Sequence, residues 1–419
     1  MMDFLCLINL FFFVFLTIYY PIYISKSLKL KLLNPITILV VVTMPIALFK
    51  AFFGPAYLLN EGLFDKYYNF AILMANIQLI ITLYVTIILF KIFRSYHYSI
   101  TNFLYKITPK WRIKRTKMFL VSFVFLLLFL ISFYLLSSTF GFINWILSPR
   151  TGYQYHRVGA GEYYAFALLF LSTSFSILLL FLRKNRSIYL FSIVYIFFAW
   201  FLGSKHIMLN FCIYTITVLW FRNVDNLGKI IGYATPIIFI PMLLNFGSFD
   251  LSEIATYFDY YVNSAMYYKE YFSNGIDLFY GQIGLTDYWA LVPRSLFPDK
   301  PYVYGFLLVN EHFFPGAAEA THTPAFGGPV PYFADFGLIG VIVYSFFNFQ
   351  LWFQVFCYYI IFVDRRLERI ISNPLYIYAV LILFAPNFLQ FFPFPLSVFI
   401  FYFLVKLISF INRVVIRTS

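Results

Sequence analysis

Met118-Phe119-Leu120-Val121-Ser122-Phe123-Val124-Phe125-Leu126-Leu127-Leu128-Phe129-Leu130-Ile131-Ser132-Phe133-Tyr134-Leu135-Leu136-Ser137 runs for twenty residues without a charge. At 1.5 Å per residue it makes a helix of about 30 Å, the thickness of the hydrocarbon layer of a bilayer. Within lipid, a helix satisfies all of its own backbone donors and acceptors, so the stretch reads as a transmembrane helix. Just before it stand Lys110, Arg112, Lys114, Arg115 and Lys117, the kind of basic cluster that stays on the cytoplasmic side.

Similar runs lie at about 4–24, 36–53, 70–90, 164–182, 188–202, 207–221, 230–246, 336–362, 375–391 and 396–411. The chain is therefore expected to be an all-α polytopic membrane protein with about eleven spans. Its 419 residues are 62% hydrophobic and only 11% charged, with a mean hydropathy of +0.82, whereas soluble domains carry about 25% charged residues. That composition excludes collagenous, disordered and disulfide-framework proteins. Cys6, Cys212 and Cys357 all sit in apolar runs, where a thiol behaves as a small hydrophobe. No disulfide is expected.

The net charge of +13 is a topology signal rather than a nucleic-acid footprint. The connections 25–34, 91–117, 183–187, 222–229, 363–374 and the tail from 412 hold 21 Lys and Arg against three acids, while the alternate connections hold 14 acids. By the positive-inside rule the N-terminus lies outside and the C-terminus in the cytoplasm. The first run lacks a basic start and a small-residue cleavage site, and Lys26, Lys29 and Lys31 follow it, so it reads as a retained span. Three parts follow: eight spans in 1–246, a large outer loop in 247–335, and three spans in 336–419.

The large loop is the expected working part. Its first stretch, 253–273, places Ile254, Tyr257, Phe258, Tyr261, Ala265 and Tyr268 at helical spacing, which predicts an amphipathic helix lying at the interface or packing as a lid. Seven prolines and seven glycines between 275 and 331 then describe a loop-rich region. Spans six and seven are short and joined by Gly203-Ser204-Lys205-His206, so their joint is expected inside the outer leaflet, facing a protein cavity.

Positive side chains on the outer face run against the topology rule and are the informative ones. Arg150 and Arg157 lie in the 138–163 loop, and Arg294 and Lys300 in the large loop; in each loop ten residues separate the first arginine from a glycine, Gly161 or Gly305. A guanidinium fork grips phosphate oxygens bidentately, whereas lysine offers a point charge. Converging cations would hold a diphosphate at the membrane surface; each could instead pair with Glu162, Asp287 or Asp299. Lys205, at the joint of two short spans, is costly unless it faces a polar cavity.

His322, in Glu319-Ala320-Thr321-His322-Thr323-Pro324, is the candidate general base, since imidazole accepts protons near neutral pH. The alternative is a loop histidine bonded for structure. Tyr257, Tyr260, Tyr261, Tyr268 and Trp289 could stack on sugar rings or anchor the chain at the interface. The outer loops carry no HExxH, cysteine cluster or paired-Asp motif, so neither metal nor cofactor is expected.

At these residues the chain resembles the O-antigen polymerases. The resemblance rests on the span count, the loop with Arg150, the Gly203-Ser204-Lys205 turn, the large loop with Arg294, and the exit Asp335-Phe336-Gly337-Leu338-Ile339-Gly340. It implies an enzyme of the bacterial inner membrane, active in lipopolysaccharide biosynthesis, that joins undecaprenyl-diphosphate-linked oligosaccharide repeat units on the periplasmic face. The N-terminus would then be periplasmic, and a chain-length regulator could be a partner. Carried over from this family and the O-antigen ligases, which are similar in plan, Arg150, Arg157, Lys205 and Arg294, with Lys300 beside them, would bind diphosphate. His322 would activate the acceptor. Two departures stand out: Thr323 follows the histidine where the ligases commonly have Asn, and Lys205 replaces the usual Arg of the Gly-Ser-Arg turn. A ligase, a lipid-linked oligosaccharide flippase and a membrane acyltransferase are the rival readings; the absence of internal repeats and of ionisable residues within the spans, Lys406 excepted, disfavours the flippase.

Overall fold

The computed structural model describes residues 2–30, 34–40, 66–107, 115–155, 161–182, 184–203, 207–208, 210–212, 214–215, 219, 260–319, 323–363, 375–384, 389 and 393–418. Among them every regular element is helical. The first elements are α1 (Met2–Val14), a π-helical turn (Phe15–Tyr19), α2 (Tyr20–Ser27), α3 (Lys66–Ile107) and α4 (Arg115–Ser138). Next come α5 (Phe142–Leu147), α6 (Pro149–Tyr155), α7 (Gly161–Phe181) and α8 (Asn185–Phe201). Beyond the undescribed stretch 220–259 lie α9 (Tyr261–Ser273), α10 (Gln282–Thr286) and α11 (Leu307–Phe313). The chain continues with α12 (Val330–Phe346), α13 (Phe349–Tyr358), α14 (Leu375–Phe384) and α15 (Phe394–Thr418).

Five stretches among the described residues are helical, long and apolar enough to cross a membrane: Phe4–Ser27, Lys66–Tyr96, Thr116–Ser138, Gly161–Phe181 and Val330–Ile361. They coincide with five of the expected runs. Arg186–Phe201 and Phe394–Ile408 are shorter apolar helices. The runs 36–53, 207–221 and 375–391 are described only in part, and 230–246 lies outside the described residues. The quoted stretch forms α4, one residue longer at its C-terminal end than its apolar run.

The chain packs as two compact units. The first is made of residues 1–94, 248–289 and 300–355, the second of 95–247, 290–299 and 356–419.

In the first unit, α1 and α3 are joined by polar contacts suited to an apolar setting. Asn9 Nδ2 donates to Asn69 Oδ1, and Asn76 Nδ2 donates to the Asn9 carbonyl at 3.1 Å; such bonds between spans contribute about 0.6 kcal/mol each. Of the stretch 253–273, in which a helix at the interface or packing as a lid was expected, residues 261–273 form α9, and its inner face is packed. Tyr267 and Tyr268 are fully buried in a core with Ala71 and Met74 of α3 and Val330, Phe333 and Ala334 of α12. Tyr268 meets Phe70 edge-on at 4.8 Å and Phe333 at 5.1 Å, so the tyrosine stripe is a packing face. Burial pushes both phenols above their ordinary pKa.

Helix α12 begins at Val330, ahead of the apolar run expected from 336, and is broken at Phe336 and Gly337. Gly337 has φ 60° and ψ −146°, a region that is essentially glycine's alone.

In the second unit α7 is the axle. Seventeen of its residues are buried, and α4, α8, α14 and α15 all pack against it. Ser122 and Ser174 exchange hydrogen bonds with each other's carbonyls at 2.9 and 2.7 Å, and the Ser174 hydroxyl also meets the Tyr195 hydroxyl at 2.7 Å. This ties α4, α7 and α8 together through groups with no water to turn to.

Candidate functional site

The sequence between α4 and α7 turns twice. Gly141 starts the short α5, which buries Trp145 completely. The Trp145 indole N–H donates to the Phe201 carbonyl at 2.7 Å, satisfying a carbonyl at the C-terminal end of α8, where the helix leaves its last acceptors free. Gly152 of α6 lies flat on the Trp145 ring, where a Cβ would come within 2.5 Å of it. One tryptophan thus joins the loop that carries Arg150 to the end of the short span before the Gly203-Ser204-Lys205 turn.

Gly203 completes that junction. It has φ +70°, and a Cβ there would run into the Pro149 carbonyl oxygen and come within 2.5 Å of Tyr153 Cβ. Two of the sequence motifs expected to carry cations are therefore in direct contact, Gly203 seated against the first turn of the helix that holds Arg150. Replacing Gly203 by Ala is expected to lower the thermal midpoint of the purified protein: the left-handed backbone alone costs a side chain about 1–2 kcal/mol, and the contact with Pro149 adds to it. An unchanged midpoint in a thermal-shift assay would show that the turn can rearrange.

Arg150 is exposed, with its guanidinium carbon 5.4 Å from the centre of the Tyr153 ring. Tyr153 in turn meets Tyr164 of α7 edge-on at 5.4 Å. A cation on an aromatic face keeps its N–H donors pointed outward, and among the described residues no hydrogen bond or ion pair engages the Arg150 fork. The alternative pairing with Glu162 is not seen there; the Glu162 carboxylate accepts instead from the Ser295 hydroxyl. This contact brings the stretch with Arg294 onto the 138–163 loop, beside the start of α7. Arg294 is half-buried, and its Nη1 donates to the Pro298 carbonyl at 3.4 Å across a turn in which Pro293 accepts from the Leu296 and Phe297 amides. The second unit thus gathers Arg150, Gly203 and the Arg294 turn from three stretches of sequence around Tyr153, Trp145 and Glu162. Of these groups the Arg150 fork is the one left unengaged among the described residues, and a guanidinium fork can grip an anion bidentately.

Other expected residues lie in the first unit. The Lys300 ammonium stands over the Tyr304 ring at 4.7 Å. Trp289 is half-buried and stacked on Tyr288 at 5.0 Å. Tyr261 meets Phe13 edge-on at 5.9 Å and covers Gly327, so part of its ring is committed to packing, and Tyr268 is wholly enclosed. Arg157, Lys205, His206, Tyr257 and His322 lie outside the described residues.

The structure draws attention to two residues that the sequence reading passed over as chemistry. Asp287 begins a 3₁₀ turn, and desolvation raises its carboxyl above the usual range. His312 is exposed at the end of α11, its ring 4.9 Å from that of Phe313. Its position on a helix of the 247–335 stretch was a usable sign, since a second imidazole there competes for any role given to His322. Among the described residues no group of three or more His, Cys, Asp or Glu could hold a metal ion.

No protein-family model matches the chain, and no solved structure does. The O-antigen polymerase of Salmonella typhimurium and that of Salmonella typhi are each 30% identical to it over 212 residues, 47% of this chain and 49% of each relative. The chain spans about half the length of the curated relatives it matches. Both relatives carry the name of the family that the motifs of this chain resemble.

Proposed function

We propose that this protein is a membrane glycosyltransferase that polymerises undecaprenyl-diphosphate-linked oligosaccharide repeat units into O-antigen or a related surface polysaccharide. The observation that carries the reading is the 30% identity to proteins named O-antigen polymerase, in a chain whose described helices include five of membrane-crossing length. The reaction is placed on the periplasmic face of the inner membrane, with the N-terminus periplasmic and the C-terminus cytoplasmic. In each cycle an acceptor hydroxyl of the incoming unit attacks the anomeric carbon of the growing chain. The bond from that carbon to the lipid diphosphate breaks as the new glycosidic bond forms, and the hydroxyl proton passes to a base.

Arg150 and Arg294, with Arg157, Lys205 and Lys300, are assigned to the diphosphate. Cations placed where charge develops on a leaving group are often the largest single contribution to such catalysis. His322 is assigned to the proton, and Trp289 with Tyr257 and Tyr261 to sugar contacts. The reading uses no metal or cofactor and admits a chain-length regulator as partner.

Deleting the coding sequence and profiling surface polysaccharide tests the reading. Loss of long chains with single capped units retained is the expected result. Loss of all capping, with lipid-linked polymer accumulating, would make the protein a ligase instead.

A further inference from the structure

The break in α12 frees two carbonyls that a continuous helix would have used, and a distant stretch takes them. Phe279 N–H donates to the Ala334 carbonyl and Tyr280 N–H to the Asp335 carbonyl, both at 2.9 Å. The Asp335 side chain, wholly buried, then accepts from the Gly281, Ile283 and Gly284 amides at 2.7, 3.2 and 3.0 Å and from the Tyr344 hydroxyl at 2.7 Å. Residues 279–284 are therefore clasped to an apolar helix within the candidate span Val330–Ile361. Irregular backbone at membrane depth is tolerated only where its polar groups are met by protein, and here every backbone N–H from Phe279 to Leu285 has a protein acceptor.

The outward side of the clasp is mostly apolar, with Gln282 its one exposed polar side chain. Tyr280 is 72% exposed and Leu285 74%, while on α12 Ile339 is 70% exposed with Phe336, Leu338 and Ile342 also open. The surfaces are continuous: at Gly281 a Cβ would lie 3.0 Å from the Phe336 ring and 3.9 Å from a Leu285 methyl. From 278 to 286 the chain carries no charge. We propose that the segment Phe279–Leu285 is a re-entrant element of the membrane domain, clasped by Asp335 to the broken α12, and that its outer surface is covered by acyl chains of the bilayer. The large outer loop then begins its functional stretch, Asp287 to Arg294, directly from the lipid boundary.

A nitroxide on Leu285→Cys in the full-length protein, reconstituted in nanodiscs of phosphatidylethanolamine and phosphatidylglycerol, tests this, since Cys6, Cys212 and Cys357 are buried. Ile339→Cys serves as the lipid-facing reference and Asn274→Cys, exposed beyond α9, as the aqueous one. Relaxation by oxygen is expected to exceed relaxation by a water-soluble nickel chelate at 285, as at 339 and opposite to 274. A Leu285 label that behaves like the one at 274 overturns the proposal. A lipid-like signal that appears only after undecaprenyl phosphate is added also overturns it, because the surface would then be a site for a polyprenyl chain. Adding Asp335→Asn to Leu285→Cys should shift the label several-fold toward the aqueous reference; a label unmoved in a folded variant would remove Asp335 as the clasp.

Discussion

An Arg150→Ala enzyme is expected to reach the membrane in near-normal amounts and to make little or no long-chain polysaccharide. The guanidinium rests on Tyr153 with no other partner among the described residues, so removing it breaks no buried network. What it removes is a fork of donors, and the loss of one donor aimed at developing negative charge typically slows turnover about 10²–10³-fold. Lysine should restore little, because a point charge cannot bind an anion bidentately. The same change at Arg294 is harder to read, since its Nη1 bond to Pro298 helps hold the turn. Gel profiles of extracted polysaccharide, beside immunoblots of the membrane fraction, check the prediction. Full-length polymer from an abundant Arg150→Ala protein would remove that residue from the diphosphate site.

Turnover by His322→Ala is expected to fall about 10²–10⁴-fold, the usual contribution of a general base, with lipid-linked substrate still bound. Binding and single-turnover transfer, measured separately on purified protein with lipid-linked repeat units, would establish this. Equal loss of both would make His322 a substrate contact or a structural residue. Normal turnover would exclude it, and Asp287 would then be tested before Asp299 or Glu319. Desolvation already raises the Asp287 carboxyl, which brings a carboxylate nearer to a proton acceptor's working range.

Much of the membrane architecture was legible because hydropathy and charge act along the chain: the apolar run 118–137 is α4, and 164–182 lies almost wholly within α7. The turn at Gly203 and the exit at Asp335 were also visible as motifs. Their partners were not. Gly203 meets Pro149 and Tyr153, and Asp335 meets Gly281, Ile283 and Gly284, contacts separated by about fifty residues that no local pattern encodes. The tyrosines of α9 left two readings open for another reason: a helix lying on a bilayer and one packed on two neighbours show the same 3.6-residue period. Nor could hydropathy separate α7, 94% buried over its most apolar window, from the α4 span at 39%, since lipid and protein interiors reward the same side chains.

That contrast bears on how the protein is made. Helix α7 leaves the translocation machinery long before α14 and α15, its later neighbours, have been synthesised. During that interval the Phe211 and Tyr214 rings, 4.6 and 5.7 Å from that of Phe175, can cover part of it, and among the helices described above it has two early partners, α4 and α8. The serine exchange with Ser122 and Tyr195 links α7 to those two early neighbours, so a nascent chain can hold a three-helix nucleus in place while the remaining helices are still on the ribosome.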